Sequence, residues 1–587
     1  MAKNILVLIR NNSAKLAASL KRFPEPLLSA TGVVVTLIVL NHLQAPVPKA
    51  TSDFLSRLAM TLALGVPLSL SLRVLYERFP GLPRIVRLSL YPIAAAGLIL
   101  YFFFLLPDFK ALPLIRYTAV TLSLYLAFLF IPYFYKRDRF ELYAIRLFTN
   151  FAVTCLYSII LFGGLAAILF TLDKLFGAKV AKLYLDFWLA AAGVFAPAFF
   201  LAGVPERSRE LQTEAYPKVF RILLSYIVIP VIIIYSTILY LYFGKIIITR
   251  QWPTGIVANL VLWYAIISTV VVFFITPLRG LDKWTGWFLT MAPKFVLPPM
   301  IMMFVAIGIR VRAYGVTENR YFIILAGLWV TGCLLYLIFA PPPKKTIILP
   351  VTAALLALAS ITGPWSCGAI SQQSQSARLE KILKKHRMLQ AGMIIKPLRQ
   401  LPQAAQKEIS SILVYFQRYH GFRELKYLPK NFELKQMPQV FGFACQNEDF
   451  PRTGGKFISQ DFTNNGVVLN IQDYDYFIGF TDSKPSLQPP QGGPILVSYS
   501  PQSRDLTVRS GGKELYRQNT GKLAEKLLKS SEEGAPLPPE KMRLLDQNEQ
   551  LQALYVFKQI NGGRNSETNE LTIDYLEFYL FIRLKSN

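Results

Sequence analysis

Residues 255–276 read GIVANLVLWYAIISTVVVFFIT, a stretch of 22 residues without a charged side chain. An α-helix of this length crosses the roughly 30 Å hydrocarbon core of a membrane. Similar apolar stretches recur through the first 370 residues, which hold only 13 of the 35 acidic residues of the chain. The sequence therefore predicts an integral membrane protein.

We predict an α-helical polytopic membrane bundle of about 11 spans, because each run of roughly 20 apolar residues predicts one crossing. The expected spans are 26–43, 54–72, 88–106, 113–134, 147–172, 184–204, 219–243, 255–276, 287–309, 321–340 and 346–363. Prolines interrupt the ninth span and the eleventh is short, so the side on which the chain emerges depends on both. Residues 1–22 are expected to form a basic cytoplasmic leader and residues 23–365 the transmembrane domain.

The loops predict an orientation, because short cytoplasmic loops carry more Lys and Arg than external loops. With the N-terminus inside, the inner loops are richer in basic residues than the outer ones. One outer loop conflicts with the rule, since it contains Arg310, Arg312 and Arg320. On balance we expect a cytoplasmic N-terminus and an extracytoplasmic C-terminal domain.

The net charge of +28 comes largely from loops that flank the membrane. Contact with anionic lipid headgroups accounts for such a charge, so the lipid bilayer is the expected partner and nucleic acid is not. The sequence contains no HExxH motif, no paired CxxC motif and no Walker-type phosphate loop. We predict no catalytic residue, no cofactor and no metal site. A membrane-embedded transferase is the least favoured class.

The ninth expected span contains the segment 292–299, APKFVLPP. Proline removes a helical hydrogen bond and kinks the helix. Pro293, Lys294, Pro298 and Pro299 therefore predict a broken helix or a re-entrant turn, a feature that lines sites in transporters. The alternative is that Lys294 simply extends to the membrane interface.

Two polar motifs flank the last two expected spans, one at 314–321 and the other at 363–380. Their candidate functional residues are Tyr314, Gly315, Thr317, Glu318, Asn319, Arg320, Tyr321, Pro364, Trp365, Ser374, Gln375 and Arg378. In the predicted topology both motifs lie on one face of the membrane, which indicates a shared site or docking surface. The alternative is that both are ordinary helix-entry turns.

The first motif also permits local predictions. Gly315 can adopt a positive φ at a turn. Thr317 followed by Glu318 is typical of a helix start, where side-chain oxygens satisfy free N–H groups. Arg320 is expected either to pair with Glu318 or to present its guanidinium to a phosphate.

With the hydrophobic layout, these motifs resemble an uncharacterised family of bacterial multi-pass membrane proteins, domain of unknown function 4153. The resemblance covers roughly residues 20–430 and includes the segment from Glu408 to His420, which Gly421 follows. It implies a location in the bacterial cytoplasmic (inner) membrane. It implies no activity, so no catalytic residue is carried over.

Residues 366–430 are expected to form a helical connector and residues 431–587 a soluble α+β domain with an antiparallel sheet. Helices are predicted at 376–390, 404–420, 521–531 and 537–548, and strands at 454–460, 466–481, 494–500, 504–509, 552–560 and 570–585. On the oxidising side of the membrane, a disulfide between Cys367 and Cys445 is one hypothesis.

The favoured function is a non-enzymatic envelope sensor, scaffold or assembly factor whose external domain binds an envelope protein partner. The sizeable soluble domain and the lack of catalytic motifs favour it. The alternative is a transporter or lipid-handling protein that uses the broken helix around 292–299.

Overall fold

The computed structural model describes a subset of the chain. The described residues are 19–43, 48–134, 140–177, 180–205, 216–250, 256–280, 282–341, 344–390, 392–397, 401–425, 427–429, 431–446, 456–461, 471–482, 495–501, 503–529, 542–564 and 571–585. Most of the predicted basic leader, 1–22, lies outside them. The chain separates into a membrane unit, 1–434 with 440–442, and a C-terminal unit, 435–439 with 443–587.

Ten helices of the membrane unit are long and apolar enough to cross a membrane, among the described residues. They are α1 (Pro24–His42), α2 (Lys49–Arg78), α3 (Arg84–Leu105), α4 (Ala111–Tyr133), α5 (Phe140–Phe176), α6 (Ala181–Ala202), α7 (Lys218–Thr249), α8 (Val257–Leu278), α9 (Lys283–Tyr314) and α10 (Glu318–Phe339). Large apolar side chains such as Ile85, Phe104 and Ile248 remain exposed on their outer surfaces. Helices with apolar residues all round are typical of a membrane bundle, so the predicted polytopic helical fold is confirmed.

The eleventh predicted span is a shorter helix, α11 (Ile348–Ala359), of 12 residues. Hydrogen bonds tie both ends of its segment to α10. The backbone N–H of Lys345 donates to the Tyr336 hydroxyl at 2.9 Å, and the Tyr321 hydroxyl donates to the Trp365 carbonyl at 2.9 Å. The segment 345–365 therefore runs antiparallel to α10 over about 22 Å of helix, and the turns after α11 complete its path.

Successive helices alternate in direction and so define two faces of the bundle. The face of the bundle at which α1 begins is called the N-terminal face. There the Arg22 guanidinium donates to the Glu77 carboxylate at 2.7 Å and to the Val204 carbonyl at 2.8 Å, which joins the ends of α1, α2 and α6. Arg221 pairs with Asp282 at 2.6 Å between α7 and α9. The opposite face, at which α10 begins, is called the motif face.

The centre of the membrane unit lies among α7, α8, α9 and α10. Val261, Ala265, Val330 and Leu334 are fully buried in this cluster. Gly327 permits the close approach of α9 and α10, because a Cβ at this position would lie 2.5 Å from the Met303 Cε atom. Small residues at helix contacts allow such close packing in membranes.

Two further helices follow α11 on the motif face, α12 (Cys367–Lys385) and α13 (Gln403–Tyr419), with a hairpin of β1 (Leu389–Gln390) and β2 (Met393–Ile394) between them. The helix α12 begins nine residues before the predicted start at 376, because the Ser366 hydroxyl accepts a hydrogen bond from the Ala369 N–H and caps it. The spacing of Ile409, Leu413 and Phe416 gives α13 one apolar face, and all three are fully buried.

The C-terminal unit contains antiparallel sheets. Its strands are β3 (Lys456–Asp461), β4 (Tyr476–Thr481), β5 (Leu496–Tyr499), β6 (Asp505–Ser510), β7 (Lys513–Asn519), β8 (Arg543–Gln547), β9 (Leu551–Arg564) and β10 (Leu571–Leu584). One sheet has the order β3-β9-β10-β4, with β8 also pairing with β9, and β5, β6 and β7 form a second. The short helix α14 (Met437–Phe441) precedes the strands, and α15 (Thr520–Lys529) packs its apolar residues into their core.

Three details of this unit differ from the sequence expectations. The described part of the predicted helix 537–548 is the strand β8, and the strand β7 was not predicted. The residues of β8 pair with β9, Leu544 opposite Tyr555, so contacts with a distant strand override the local helical pattern. The predicted strand 466–481 is a strand only from Tyr476, and its residues 466–470 lie outside the described residues.

Candidate functional site

The two predicted motifs meet on the motif face. The side-chain amide of Gln375 in α12 donates to the Tyr314 carbonyl at 3.0 Å and to the Val316 carbonyl at 2.9 Å. The Val316 N–H donates in turn to the Ser374 hydroxyl at 2.8 Å. Gly315 lies between these contacts with φ 70° and ψ 178°, a conformation almost restricted to glycine. The loop before α10 is therefore fixed by α12.

The carboxylate of Glu318, the first residue of α10, lies at the centre of this region. Its Oε1 atom accepts hydrogen bonds from the Ser371 hydroxyl at 2.7 Å and the Tyr415 hydroxyl at 2.7 Å, and lies 3.0 Å from the His420 Nε2 atom. The Glu318 and His420 side chains are only 4% and 3% exposed. We call these four residues the Glu318 cluster. It joins α10, α12 and the C-terminal end of α13.

The second carboxylate oxygen of Glu318, Oε2, is also buried and has no hydrogen-bond partner among the residues that the structure describes. A buried acceptor without a donor costs about 1–3 kcal/mol. The side-chain contacts of this carboxylate in the described structure are therefore all at Oε1, and the loss of any one of them is expected to destabilise the cluster.

Arg320 does not pair with Glu318, so the first of the two expectations for it is wrong. Its guanidinium donates to the carbonyls of Tyr314 at 3.1 Å and Gly315 at 2.7 Å. The reason is directional, because the Glu318 carboxylate points into the bundle towards the connector helices. Arg378, also a predicted residue, pairs with Glu408 at 2.6 Å and donates to the Tyr314 carbonyl at 3.2 Å.

The remaining predicted residues contribute less. Tyr321 and Trp365 form the hydrogen bond that holds the end of the α11 segment, and Pro364 lies in the turn beside it. The helix begins after Thr317 as expected, but the Thr317 side chain makes no capping hydrogen bond. Asn319 is exposed.

Burial controls the protonation of the groups on α12 and α13. It raises the pKa of the Tyr415 hydroxyl, and the adjacent Glu318 carboxylate raises it further, so Tyr415 remains a hydrogen-bond donor. Burial also raises the pKa of the Cys367 thiol to about 11, again with a contribution from Glu318. Cys367 is a buried free thiol, and the hypothetical disulfide with Cys445, which would join the two units, stays a prediction.

The predicted break in the ninth span is absent, because α9 is one continuous helix of 32 residues with Pro293, Pro298 and Pro299 inside it. Pro299 cannot donate to the Phe295 carbonyl four residues before it. The Tyr240 hydroxyl of α7 donates to this carbonyl at 2.9 Å instead. A neighbouring helix thus satisfies the group that proline leaves free, as is common in membranes. Lys294 is exposed.

The transporter hypothesis loses the broken helix on which it depended. The described part of the membrane unit includes two cavities that could hold a small molecule or a lipid chain. One, of about 290 Å³, lies beside the proline segment and includes Tyr240 and Phe295. The other, of about 450 Å³, has an almost wholly apolar lining that includes Phe128, Leu147 and Phe200. Neither contains a charged side chain.

Sequence reasoning missed Ser371, Tyr415 and His420 as site residues. One signal was present, because Ser371, Gln375 and Arg378 repeat at spacings of four and three residues and therefore share one face of α12. No such signal links Tyr415 or His420 to Glu318, since they follow it by 97 and 102 residues. Among the described residues, no three His, Cys, Asp or Glu side chains gather into a metal site.

Comparison with known proteins assigns the membrane unit. The model of the family described as Domain of unknown function (DUF4153) matches residues 29–397, more than half of the chain. The chain belongs to this family. The match to DUF4153 includes both motifs but ends before Tyr415 and His420, so two members of the Glu318 cluster lie beyond it.

One curated relative is an uncharacterised protein of Pasteurella multocida (strain Pm70), which is 28% identical over 205 residues. This alignment covers 33% of the chain, and the chain spans about a third of the length of that relative. No solved structure matches the chain. The DUF4153 assignment therefore supports a multi-pass membrane protein and provides no activity.

Proposed function

We propose that this protein is a non-enzymatic scaffold or sensor of the bacterial cytoplasmic membrane, with a C-terminal unit that binds a protein partner outside the cytoplasm. The Glu318 cluster carries the proposal. Its buried hydrogen bonds fix the connector helices α12 and α13 to the first residue of a spanning helix. A displacement of the connector would therefore act directly on α10, which a sensor requires and a simple anchor does not.

Two observations support the proposed orientation. The N-terminal face carries Arg22 and Arg221, and the loops on that side are the ones richer in basic residues. Such loops usually remain in the cytoplasm. Among the described residues, the ten long helices together with the antiparallel α11 segment support an odd number of passes, with which the C-terminal unit would lie on the side opposite the N-terminus.

An edge of the C-terminal sheet is suited to a partner. Strand β4 pairs with β10 and lies at the end of the strand order, among the described strands. Phe477 of β4 is 56% exposed. Its ring lies 5.1 Å from that of Tyr579 and 4.9 Å from that of Phe581. Exposed sheet edges accept an added strand, and aromatic side chains supply much of the binding energy at protein interfaces.

Site-specific crosslinking in intact cells tests the proposal. A photoreactive phenylalanine analogue replaces Phe477 in the full-length protein, and a second variant carries it at the exposed Lys513 of β7 as the matched control. We expect a discrete adduct from position 477 and none from position 513. Equal adducts at both positions, or none at either, would refute the partner surface.

Thiol labelling tests the orientation. In a background without native cysteines, Asn319→Cys places a thiol on the motif face and Arg84→Cys places one on the N-terminal face, and both positions are exposed. A maleimide that cannot cross the membrane should label intact spheroplasts at position 319 and not at position 84. The reverse pattern would make the C-terminal unit cytoplasmic and remove the envelope partner.

A further inference from the structure

The smaller of the two cavities lies between α7, α8 and α9 and opens sideways into the bilayer. Its volume is about 290 Å³, close to the lower limit of roughly 300 Å³ for ligand pockets. Trp287, Tyr240 and Phe295 line it and are 42%, 40% and 38% exposed on the outer surface of spanning helices. Phe288 and Tyr264 line its inner end and are only 1% and 5% exposed. A molecule dissolved in the hydrocarbon can therefore enter without crossing water.

Aromatic side chains form much of the cavity wall, since all five of these residues carry rings. The centre of the Trp287 ring lies 6.0 Å from that of Phe295. On its other side, the Trp287 ring stacks on Trp284 with the centres 5.4 Å apart. Aromatic rings bind another ring through edge-to-face or offset-stacked contacts. The wall therefore suits a ligand with a planar ring better than a purely aliphatic chain.

Four hydroxyl groups line the cavity, and the hydrogen of each one is already engaged. Ser236 and Thr237 donate to the carbonyls four residues before them, at 2.7 and 3.0 Å. The Tyr240 hydroxyl donates to the Phe295 carbonyl at 2.9 Å. The Tyr264 hydroxyl lies 2.6 Å from the Ser236 Oγ atom, and it is the donor there because the Ser236 hydrogen is in use. A hydroxyl oxygen still has lone pairs that accept, so the cavity wall offers acceptors at these positions.

Tyr264 lies deep in the hydrocarbon core, because it precedes Leu278, the end of α8, by 14 residues or about 21 Å. Trp287, which carries an indole N–H, lies only about 6 Å from the beginning of α9 and so belongs to the shallow end. Among the described residues that line the cavity, none is charged. An ion at this depth without a counter-charge is costly. The cavity therefore suits a neutral ligand whose polar group donates a hydrogen bond at the deep end.

We propose that this cavity binds the hydroquinone form of a membrane-soluble quinone. The ring lies against the aromatic wall, one hydroxyl donates to the Tyr264 oxygen, and an apolar tail leaves through the mouth. The oxidised quinone has carbonyl oxygens, which only accept hydrogen bonds. It engages Tyr264 only if Ser236 turns its hydrogen from the Ile232 carbonyl to the Tyr264 oxygen. Occupancy therefore depends on the redox state of the ligand, and the site does not depend on the proposed partner surface.

Native mass spectrometry of the full-length protein in detergent, kept under argon, tests the site with decylhydroquinone, decylbenzoquinone and decanol. The wild type should bind the hydroquinone about fivefold more tightly than the quinone, which is the value of one ordinary hydrogen bond. Decanol has a hydroxyl and an apolar tail but no ring, so it should bind more weakly than the hydroquinone. Equal binding of decanol and the hydroquinone would refute the role of the aromatic wall.

The variant Ser236→Ala tests the hydrogen-bond assignment. It frees the Tyr264 hydrogen, which can then donate to a quinone carbonyl, so the two redox forms should bind this variant with about equal affinity. The matched control is Thr290→Ala on α9. It also removes a hydroxyl that donates to the carbonyl four residues before it, at 3.0 Å, but Thr290 does not line the cavity. This control should keep the preference of about fivefold for the hydroquinone.

A further variant fills the cavity. Ala292 lines it and is 2% exposed, so Ala292→Leu places a larger side chain in the space and should abolish binding of both forms. Three results would overturn the proposal. The first is equal binding of the two forms by the wild type, and the second is a hydroquinone preference that survives in Ser236→Ala. The third is binding of either form at wild-type affinity by Ala292→Leu, which would locate the ligand elsewhere.

Discussion

The substitution His420→Ala probes the Glu318 cluster most directly. It leaves the Glu318 carboxylate buried, with two of the three contacts at Oε1 and none at Oε2. The loss of a hydrogen bond to a buried carboxylate costs about 1.5–3 kcal/mol. Because 1.4 kcal/mol corresponds to a factor of ten, this range predicts about 10- to 100-fold more frequent opening of the contact between α13 and α10.

Hydrogen exchange reports such local opening. We expect the backbone amides of α13 in the purified full-length protein to exchange about 10- to 100-fold faster in the His420→Ala variant. The matched control is His42→Ala, which removes another histidine–carboxylate pair, with Asp186, on the same face. The His42 side chain is 46% exposed, so solvent compensates its loss, and exchange in α13 should not change.

A double-mutant cycle shows whether the charge of Glu318 is responsible. In a Glu318→Gln background no buried charge remains to be compensated, so His420→Ala should cost only an ordinary hydrogen bond of about 1 kcal/mol, or about fivefold in exchange. If His420→Ala accelerates exchange by the same factor in both backgrounds, the coupling through Glu318 is refuted.

Three further outcomes are expected. Gly315→Ala should destabilise the protein by about 1–3 kcal/mol, because alanine is strained in the backbone conformation of Gly315. The control Gly97→Ala should not destabilise it, since no atom lies within 4 Å of the new Cβ. Equal thermal midpoints of the two variants would contradict this prediction. Tyr240→Phe should cost about 1 kcal/mol in thermal unfolding, and this cost should vanish in a Pro299→Ala background, where the new N–H replaces the hydroxyl. Cys367 should resist alkylation at pH 8 in the folded protein and react after denaturation, because burial raises the pKa of its thiol to about 11. Peptide mass measures the extent of alkylation. Rapid labelling of the native protein would show that the thiol is accessible and contradict the prediction.

The spanning helices could be predicted from the sequence because crossing a membrane requires a length and a composition that one local stretch contains. The prediction failed where a contact with a residue distant in the sequence determines the local backbone structure. Nothing in the segment 292–299 indicates that the Tyr240 hydroxyl, 55 residues away from Phe295, replaces the missing donor. Likewise, β8 is extended only because β9 pairs with it.

The candidate site likewise contains features that the local sequence predicts and features that only tertiary contacts determine. Gly315 and the start of α10 follow from local backbone chemistry, and both were predicted. The meeting of the two motifs follows from topology, since an even number of crossings returns the chain to one face. The partners of Glu318 required the positions of α12 and α13, which no local pattern contains, and the nearby Arg320 was therefore preferred by proximity alone.

The residues of the Glu318 cluster are synthesised at different times, so the cluster forms in a fixed order during synthesis of the protein. Glu318 is synthesised 102 residues before His420. At about 5–20 residues per second, the ribosome needs roughly 5–20 s to synthesise the residues between them. During that interval α10 carries a carboxylate at its end that lacks Tyr415 and His420, although Ser371 follows Glu318 by only 53 residues. A nascent chain cut before α13 would retain Ser371 and lack the other two partners, so the three contacts at Oε1 are complete only in a chain that extends through His420.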